Sequence, residues 1–289
     1  MDANPLNWQS KLILLLVLPA VGCGLVFETK DWLAGAPSVV YWTIALSASL
    51  GILTFALRAA TPLAALTGSV ITAQLMYATS DQPYHAWRTY LIPVLAVSLL
   101  AFAATRAGRS QKERLGLAEA RHGRSAAQVA ANLGAAALIS TGFIENWAVN
   151  SRWLPHSRTA LLAASLAAMA EAAADTVSSE IGQVFGGRPR MITTLRSVDP
   201  GTDGGITAAG SFAGIVAAAI VAALGAFAVH PDSRLLMVAF AGAVFGLFFD
   251  SLLGATLERK RWLNNDAVNF LSTISAAAFT LIAAALQLR

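Results

Sequence analysis

Apolar residues occur along this chain in long runs that no charged residue interrupts. A hydrocarbon core of about 30 Å requires roughly 20 apolar residues in helical conformation, so that such runs predict membrane-spanning helices. Transmembrane strands would alternate between apolar and polar positions, and these runs do not alternate. The runs are 12–27, 32–57, 59–80, 89–105, 125–144, 205–231, 235–249 and 267–288, with a shorter one at 159–170. The pattern therefore predicts an all-α, polytopic integral membrane protein with about nine transmembrane helices.

Composition and charge support this class and indicate an orientation. Hydrophobic residues make up 56% of the chain and charged residues 12%, against roughly 25% charged residues in soluble domains. Segment 106–124 is rich in Lys and Arg, as cytoplasmic loops of membrane proteins are. Alternation from this segment predicts a cytoplasmic N-terminus. We interpret the segment itself as a solvated linker, with a partly helical surface segment as the alternative. The net charge of +4 is interpreted as positive-inside charge, which implies membrane lipids and no nucleic acid as partners.

Acidic and hydroxyl residues share one face of the helix predicted after residue 159. Glu171, Asp175 and Ser179 are spaced four residues apart, and Ser178 lies beside them. Ionisable residues within a membrane-spanning helix are costly, which favours a functional role. Their oxygen atoms are of the kind that binds Mg²⁺. A helix end that reaches interfacial water is the alternative interpretation, and for Glu171 we keep both.

The loop that follows this helix combines glycines, hydroxyls and arginines. Glycines allow backbone N–H groups to approach an anion closely, and arginine pairs with phosphate oxygens in a fork. The loop also leads into the next helix, whose N-terminus favours anions. We predict a polyphosphate site here, with these candidate nucleotide-binding or phosphate-binding residues: Arg188, Arg190, Thr194, Arg196, Gly201, Thr202, Gly204 and Gly205.

A second polar group follows the run 235–249. Asp250 and Ser251 lie where that helix should reach the inner interface, at a depth similar to Asp175. We therefore expect both acidic groups to converge on one pocket. Asp266 is more simply interpreted as a helix N-cap. For the basic run 259–261, positive-inside charge and phosphate binding remain equal alternatives.

Five strings of this sequence carry a family resemblance. They are Ala174-Asp175-Thr176-x-x-Ser179-Glu180-Ile181-Gly182, Pro200-Gly201-Thr202-x-Gly204-Gly205-Ile206, Asp250-Ser251-Leu252-Leu253-Gly254-Ala255-Thr256, Asn265-x-x-Val268-Asn269 and Gln128-Val129-x-Ala131-Asn132. Together they resemble the signature of domain-of-unknown-function family ninety-two, which includes phytyl-phosphate kinase and transmembrane protein nineteen and is itself distantly similar to dolichol kinase and phosphatidate cytidylyltransferase. The resemblance covers roughly residues 56–285. Its most specific part runs from Asp175 to Gly205, where several rare features occur in order.

The resemblance implies a kinase that uses CTP or another nucleoside triphosphate, with Mg²⁺, to convert a prenyl monophosphate to the diphosphate. Arg196 stands near a position where relatives often carry lysine, which leaves the nucleotide preference open. The candidate catalytic residues are Asp175, Asp250, Glu180 and Ser179. The candidate metal ligands are Asp175, Asp250 and Glu171. Further candidate site residues are Asn132, Ser251, Asn265 and Asn269.

Other assignments follow from this interpretation. We expect two N-terminal transmembrane helices (1–55) and a prenyl-phosphate-kinase-like transmembrane domain (56–289). The membrane would be a bacterial-type inner membrane or its equivalent, with the active site facing the cytoplasm. A homodimer is compatible with the sequence but not required by it. Three alternatives remain: a lipid cytidylyltransferase, a transporter that uses the buried carboxylates, and a membrane scaffold without chemistry.

Overall fold

The computed structural model describes residues 6–118, 123–151, 157–229 and 233–287. Within this part of the chain, eleven α-helices form one bundle, and a two-stranded antiparallel sheet lies in the loop after α8. The elements are α1 (Asn7–Gly35), α2 (Pro37–Ala56), α3 (Pro62–Ala78), α4 (Leu91–Arg106), α5 (Arg109–Leu115), α6 (Ala126–Ile139), α7 (Gly142–Ser151), α8 (Ser157–Phe185), β1 (Arg190–Met191), β2 (Gly205–Ile206), α9 (Ala208–Val229), α10 (Ser233–Leu253) and α11 (Asn265–Gln287). A single π-helical turn, Gly254–Glu258, continues α10.

Local sequence explains where several helices begin. Ser125 accepts a hydrogen bond from the backbone N–H of Gln128, whose side chain accepts one from the Ser125 N–H, so that a capping box starts α6. Thr61 caps α3 just before Pro62. Such caps satisfy backbone N–H groups that the helix leaves without partners.

The described residues confirm a polytopic helical membrane protein but do not confirm nine spans. Six helices among the described residues are long and apolar enough to cross a membrane, and the number rises to eight if two bent pairs each count as one span. The pairs are α4 with α5, bent by 61°, and α6 with α7, bent by 43°. With 17 residues, α3 lies at the lower limit of about 17 for a span. The count of nine remains a prediction.

Helix α8 forms the centre of the bundle. It packs most extensively against α9, and also against α10, α11, α4 and α6. Residues 159–174 are mainly alanine, and this allows neighbours to approach closely. In α9, a Cβ atom at Gly214 would lie 2.7 Å from the carbonyl oxygen of Ala174. The acidic residues of α8 therefore lie inside the bundle rather than against lipid.

The segments predicted to be cytoplasmic meet at one end of the bundle, which we call the site end. Ala60 and Arg124 form a β-bridge between the start of α3 and the start of α6. The side-chain amide of Gln9 in α1 donates to the carbonyl of Trp262 at 2.8 Å. The membrane face on which this end lies, and hence a cytoplasmic N-terminus, remains a prediction.

Helix α1 packs with the rest of the bundle, chiefly against α6 and α3. Its Ser10 hydroxyl donates to Asp266 at 2.6 Å. The N-cap of α11 is Asn264, whose side-chain oxygen accepts from the N–H of Ala267 at 2.9 Å. The N-cap prediction for Asp266 is thus off by two positions, and Asp266 instead ties α11 to α1. The predicted boundary between 1–55 and 56–289 is untested.

Candidate functional site

A small acidic cavity opens at the site end between α8, α10 and the loop before α9. Its volume is about 150 Å³. Asp175 from α8 and Asp250 from α10 both line it, close enough for their carboxylates to interact electrostatically. Oδ1 of Asp250 is buried and has no hydrogen-bond partner. Two carboxylates in contact repel each other unless a proton or a cation lies between them. The predicted convergence of the two acidic groups is present in the structure.

Hydroxyl and amide groups complete the walls. Ser178, Ser179 and Gln183 line the α8 side of the cavity together with Asp175. The buried Oε1 of Gln183 has no hydrogen-bond partner. Ser251 follows Asp250 on the opposite wall. The cavity therefore presents several oxygen atoms on two neighbouring helices.

The loop from Gly201 to Gly205 covers the cavity. Gly204 has a φ of +75°, a left-handed conformation that favours glycine. A Cβ atom there would also collide with the backbone of Ala255, so that the loop rests directly on the π-helical turn. The predicted residues Gly201, Thr202, Gly204 and Gly205 all line the cavity. A π-helical turn is often found at functional sites.

The predicted loop arginines lie elsewhere. Arg188, Arg190 and Arg196 are exposed and do not line the cavity. Arg190 donates to the carbonyl of Leu195 at 3.1 Å. Thr194 is also exposed, and its hydroxyl accepts from the N–H of Arg196 at 3.4 Å. These four residues lie in or next to the hairpin 190–197, which an antiparallel bridge between Arg190 and Ser197 closes outside the cavity.

Glu171 lies deeper in α8 than Asp175. Its side chain is 1% exposed, and its buried Oε1 has no hydrogen-bond partner. No group of three His, Cys, Asp or Glu residues suited to a metal occurs in the described ranges. The predicted set Asp175, Asp250 and Glu171 thus does not form a three-ligand cluster in this structure.

Glu180 has a different environment from the one its motif indicates. It does not line the cavity. It forms an ion pair with Lys112, which is 1% exposed, and it accepts a hydrogen bond from Thr105 at 3.1 Å. The interpretation of segment 106–124 as a solvated linker is wrong at this point, because Lys112 is buried against α8.

The remaining candidates lie in three different places. Ser251 lines the acidic cavity. Asn269 donates to Asn132 at 3.3 Å, which joins α11 to α6, and Asn132 lines a different cavity. Asn265 is exposed at the start of α11.

Sequence reasoning missed several residues of the acidic cavity, among them Asp203, Thr207 and Glu258. Partial burial raises the pKa of Asp203, and the nearby Arg259 acts in the opposite direction. Thr207 accepts from the N–H of Gly210 at 3.0 Å at the start of α9. Asp203 lies within a recognised string, and its position was the signal that could have identified it.

The comparisons with known proteins agree with the resemblance. The family model described as integral membrane protein DUF92 matches residues 45–277. The chain belongs to this family. The match begins within α2 and includes every residue that lines the acidic cavity.

Two relatives are uncharacterized membrane proteins. One, from Methanocaldococcus jannaschii, is 35% identical over 64% of this chain and 72% of its own length. The other, from Synechocystis, is 34% identical over 68% and 73%. The protein VTE6, chloroplastic, of Arabidopsis thaliana is 30% identical over 64% of this chain and 57% of its own length. No solved structure matches the chain.

The donor set of the acidic cavity suits a hard divalent cation. Four carboxylates line the cavity and no Lys or Arg does, as far as the described residues show. Mg²⁺ is usually held by one or two carboxylates together with water and substrate phosphates, rather than by an all-protein cage. Asp175 and Asp250, with the unpartnered oxygen of Asp250, fit that pattern without Glu171.

Proposed function

We propose that this protein is a membrane-embedded prenyl-phosphate kinase, which transfers a phosphoryl group from CTP or another nucleoside triphosphate to a prenyl monophosphate. The observation that carries the proposal is the contact of Asp175 with Asp250 beneath the glycine loop. Membership of a family that includes phytyl-phosphate kinase supports the same chemistry. The active site would face the cytoplasm of a bacterial-type inner membrane or its equivalent.

Mg²⁺ held by Asp175 and Asp250 would offset the charge of the triphosphate. The acceptor needs little activation, because a phosphate monoester is already anionic near neutral pH. One of its oxygens forms a bond to the γ-phosphorus. The bond between that phosphorus and the β–γ bridging oxygen breaks, and the nucleoside diphosphate leaves with the electron pair.

The small cavity would hold only part of the nucleotide. Its 150 Å³ is below the roughly 300 Å³ at which whole-ligand pockets begin. Backbone N–H groups of the loop and the N-terminus of α9 would bind the transferred end of the triphosphate. The nucleoside would extend over the hairpin.

The test is incubation of purified protein with Mg²⁺, γ-labelled CTP and a panel of prenyl monophosphates. We expect label in the lipid diphosphate and release of CDP. Release of pyrophosphate would instead establish a cytidylyltransferase. If CTP, ATP, GTP and UTP all give no product, the proposal fails, and the buried carboxylates then favour a cation transporter.

Variants connect the reaction to the cavity. Asp175→Asn and Asp250→Asn preserve size but remove a charge that the metal needs. We expect transfer to fall by at least about a hundredfold to a thousandfold, on the order of losing a central electrostatic contact. Asp199→Asn is the matched control, because Asp199 is exposed in the same loop and does not line the cavity.

A further inference from the structure

A second and larger cavity also reaches α8. Its volume is about 480 Å³, which is within the usual range of roughly 300–1,000 Å³ for small-molecule sites. It runs between α2, α3, α4 and α6. Away from its arginines the lining is mainly apolar, with Ala64, Gly68, Val94, Val97, Ala101 and Leu133, and includes the polar side chains of Thr72, Ser98 and Asn132. We call it the arginine groove, because of the residues at its mouth.

The mouth of the groove is cationic. Among the described residues, Arg58, Arg106, Arg109 and Arg124 line it together with one carboxylate, Glu113, which pairs with Arg109 at 3.1 Å. The described lining is therefore net positive.

Two of these arginines are held in place by neighbours. The guanidinium of Arg106 donates to the carbonyl of Leu57 at 3.1 Å and lies 4.1 Å from the centre of the Phe102 ring. Arg124 donates to the hydroxyl of Thr176 at 3.4 Å. Arginine positioned in this way offers its fork of N–H donors to phosphate oxygens.

The groove also adjoins the acidic cavity. Ala172 lines the groove, and Asp175, three residues later on α8, lines the cavity. Arg124 interacts electrostatically with Asp175 while it lines the groove. An anion bound by Arg124 would thus lie next to the proposed metal ligands.

We propose that the arginine groove binds the prenyl monophosphate acceptor, with its isoprenoid tail in the apolar part and its phosphate on Arg58, Arg106 and Arg124. This inference rests on the proposed kinase function for the identity of the lipid. An amphiphile with one apolar chain and one anionic head matches both the shape and the charge of the groove. Arg124 then positions the phosphate beside Asp175.

Binding of geranylgeranyl monophosphate to the full-length protein in detergent tests the proposal without nucleotide. We expect Arg106→Gln combined with Arg124→Gln to weaken binding at least about tenfold, through the loss of charge-assisted contacts. In the kinase assay, Arg58→Gln combined with Arg106→Gln, which leaves the Arg124–Asp175 interaction intact, should raise KM for the lipid and leave KM for CTP nearly unchanged. Arg114→Gln is the control, because Arg114 is exposed on α5 and lies outside the groove.

A second variant tests the tail and does not depend on the arginines. Gly68 lies in the groove, and a Cβ atom there would meet only Val129, at 3.9 Å. Gly68→Leu should therefore fill the groove without collapsing the helix packing, and we expect weaker binding of both geranylgeranyl monophosphate and geranylgeraniol. The control is Gly22→Leu on α1, where a Cβ atom would meet nothing within 4 Å.

The outcomes separate this inference from the proposed function. Wild-type affinity in both groove variants, with active wild-type enzyme, would overturn the groove and leave the kinase standing. Weakened binding in the variants, without any phosphoryl transfer by the wild type, would support the groove and refute the kinase. If the variants lose bound phosphatidate rather than geranylgeranyl monophosphate, the occupant is a bilayer phospholipid and the inference is wrong.

Discussion

The two cavities beside α8 have opposite chemistry. The acidic cavity is small, lined by carboxylates, and covered by a glycine loop; the arginine groove is about three times larger, mainly apolar, and cationic at its mouth. A carboxylate-lined cavity binds a polyphosphate only if a cation lies between them, whereas the groove can bind a phosphate directly. On this difference rests our proposal that the metal and nucleotide bind in the acidic cavity and the lipid in the groove.

One helix serves both cavities, and this is how the two substrates would meet. Asp175 and Ala172 lie less than one turn apart on α8. A central helix packed closely on all sides keeps such positions fixed relative to each other. The assignment of different substrates to the two cavities is tested most directly by a change that affects only one of them.

Removal of divalent cations should have the largest effect, and only on one cavity. With EDTA we expect complete loss of phosphoryl transfer, because the carboxylates would then repel the triphosphate. Binding of geranylgeranyl monophosphate in the groove should change less than about twofold, since arginine needs no metal to bind phosphate. Mg²⁺ added in excess of EDTA should restore transfer, which excludes damage to the protein.

Loss of lipid binding on chelation would contradict the proposal that the groove binds the lipid phosphate without a metal. The acceptor phosphate would then be bound through the metal, and the groove would contribute apolar contacts only. Transfer that persists in EDTA would instead refute the proposed role of a divalent cation in the acidic cavity.

Breaking the buried ion pair between Lys112 and Glu180 should have the next largest effect. This effect should appear in stability rather than in activity. Lys112 also donates to the carbonyls of Ala104 and Thr105, at 2.9 and 3.1 Å. Lys112→Met leaves Glu180 without its cation, and we expect the free energy of unfolding in detergent to fall by about 2–3 kcal/mol. This is somewhat below the ~3–5 kcal/mol for breaking a fully buried pair, because Glu180 is 16% exposed.

A matched variant and a double variant sharpen this test. Lys11→Met removes an exposed lysine of α1 and should change stability by less than about 0.5 kcal/mol. Lys112→Met with Glu180→Leu should recover part of the loss, because no unpaired charge remains. If Lys112→Met instead left stability unchanged and abolished transfer, Glu180 would act in the chemistry, as its position in the family motif indicates.

The sequence predicted the helical membrane class from local features, and it predicted the convergence of Asp175 and Asp250 because each lies at a similar depth near the same end of its helix. Run length indicates spans, and a buried carboxylate is conspicuous among alanines. The structure explains why glycine stands at positions 201 and 204, because both have a positive φ and Gly204 lies against the backbone of Ala255. Phosphate binding by this loop stays a prediction.

The arginine groove and the ion pair could not be predicted in the same way. Segment 106–124 shows only a high density of charge, and nothing in its pattern distinguishes the buried Lys112 from its exposed neighbour Arg114. Arg124 contacts α8 across 52 positions of sequence. Such contacts depend on how α4, α5 and α6 bend, which one sequence does not determine.

The loop arginines should give the smallest effect. Arg188, Arg190 and Arg196 are exposed beyond the acidic cavity, where only the nucleoside end of the donor would reach them. Exposed charge contacts contribute about 0.2–1 kcal/mol, which corresponds to a rise in KM for CTP of at most about fivefold for each change to Gln. Because exposed charges are screened, the effect should shrink as salt rises from low to physiological ionic strength. A hundredfold loss in kcat at any of the three would contradict this expectation. It would mean that the hairpin closes onto the γ-phosphate during the reaction. An arginine that the structure holds outside the acidic cavity would then contribute to phosphate binding there.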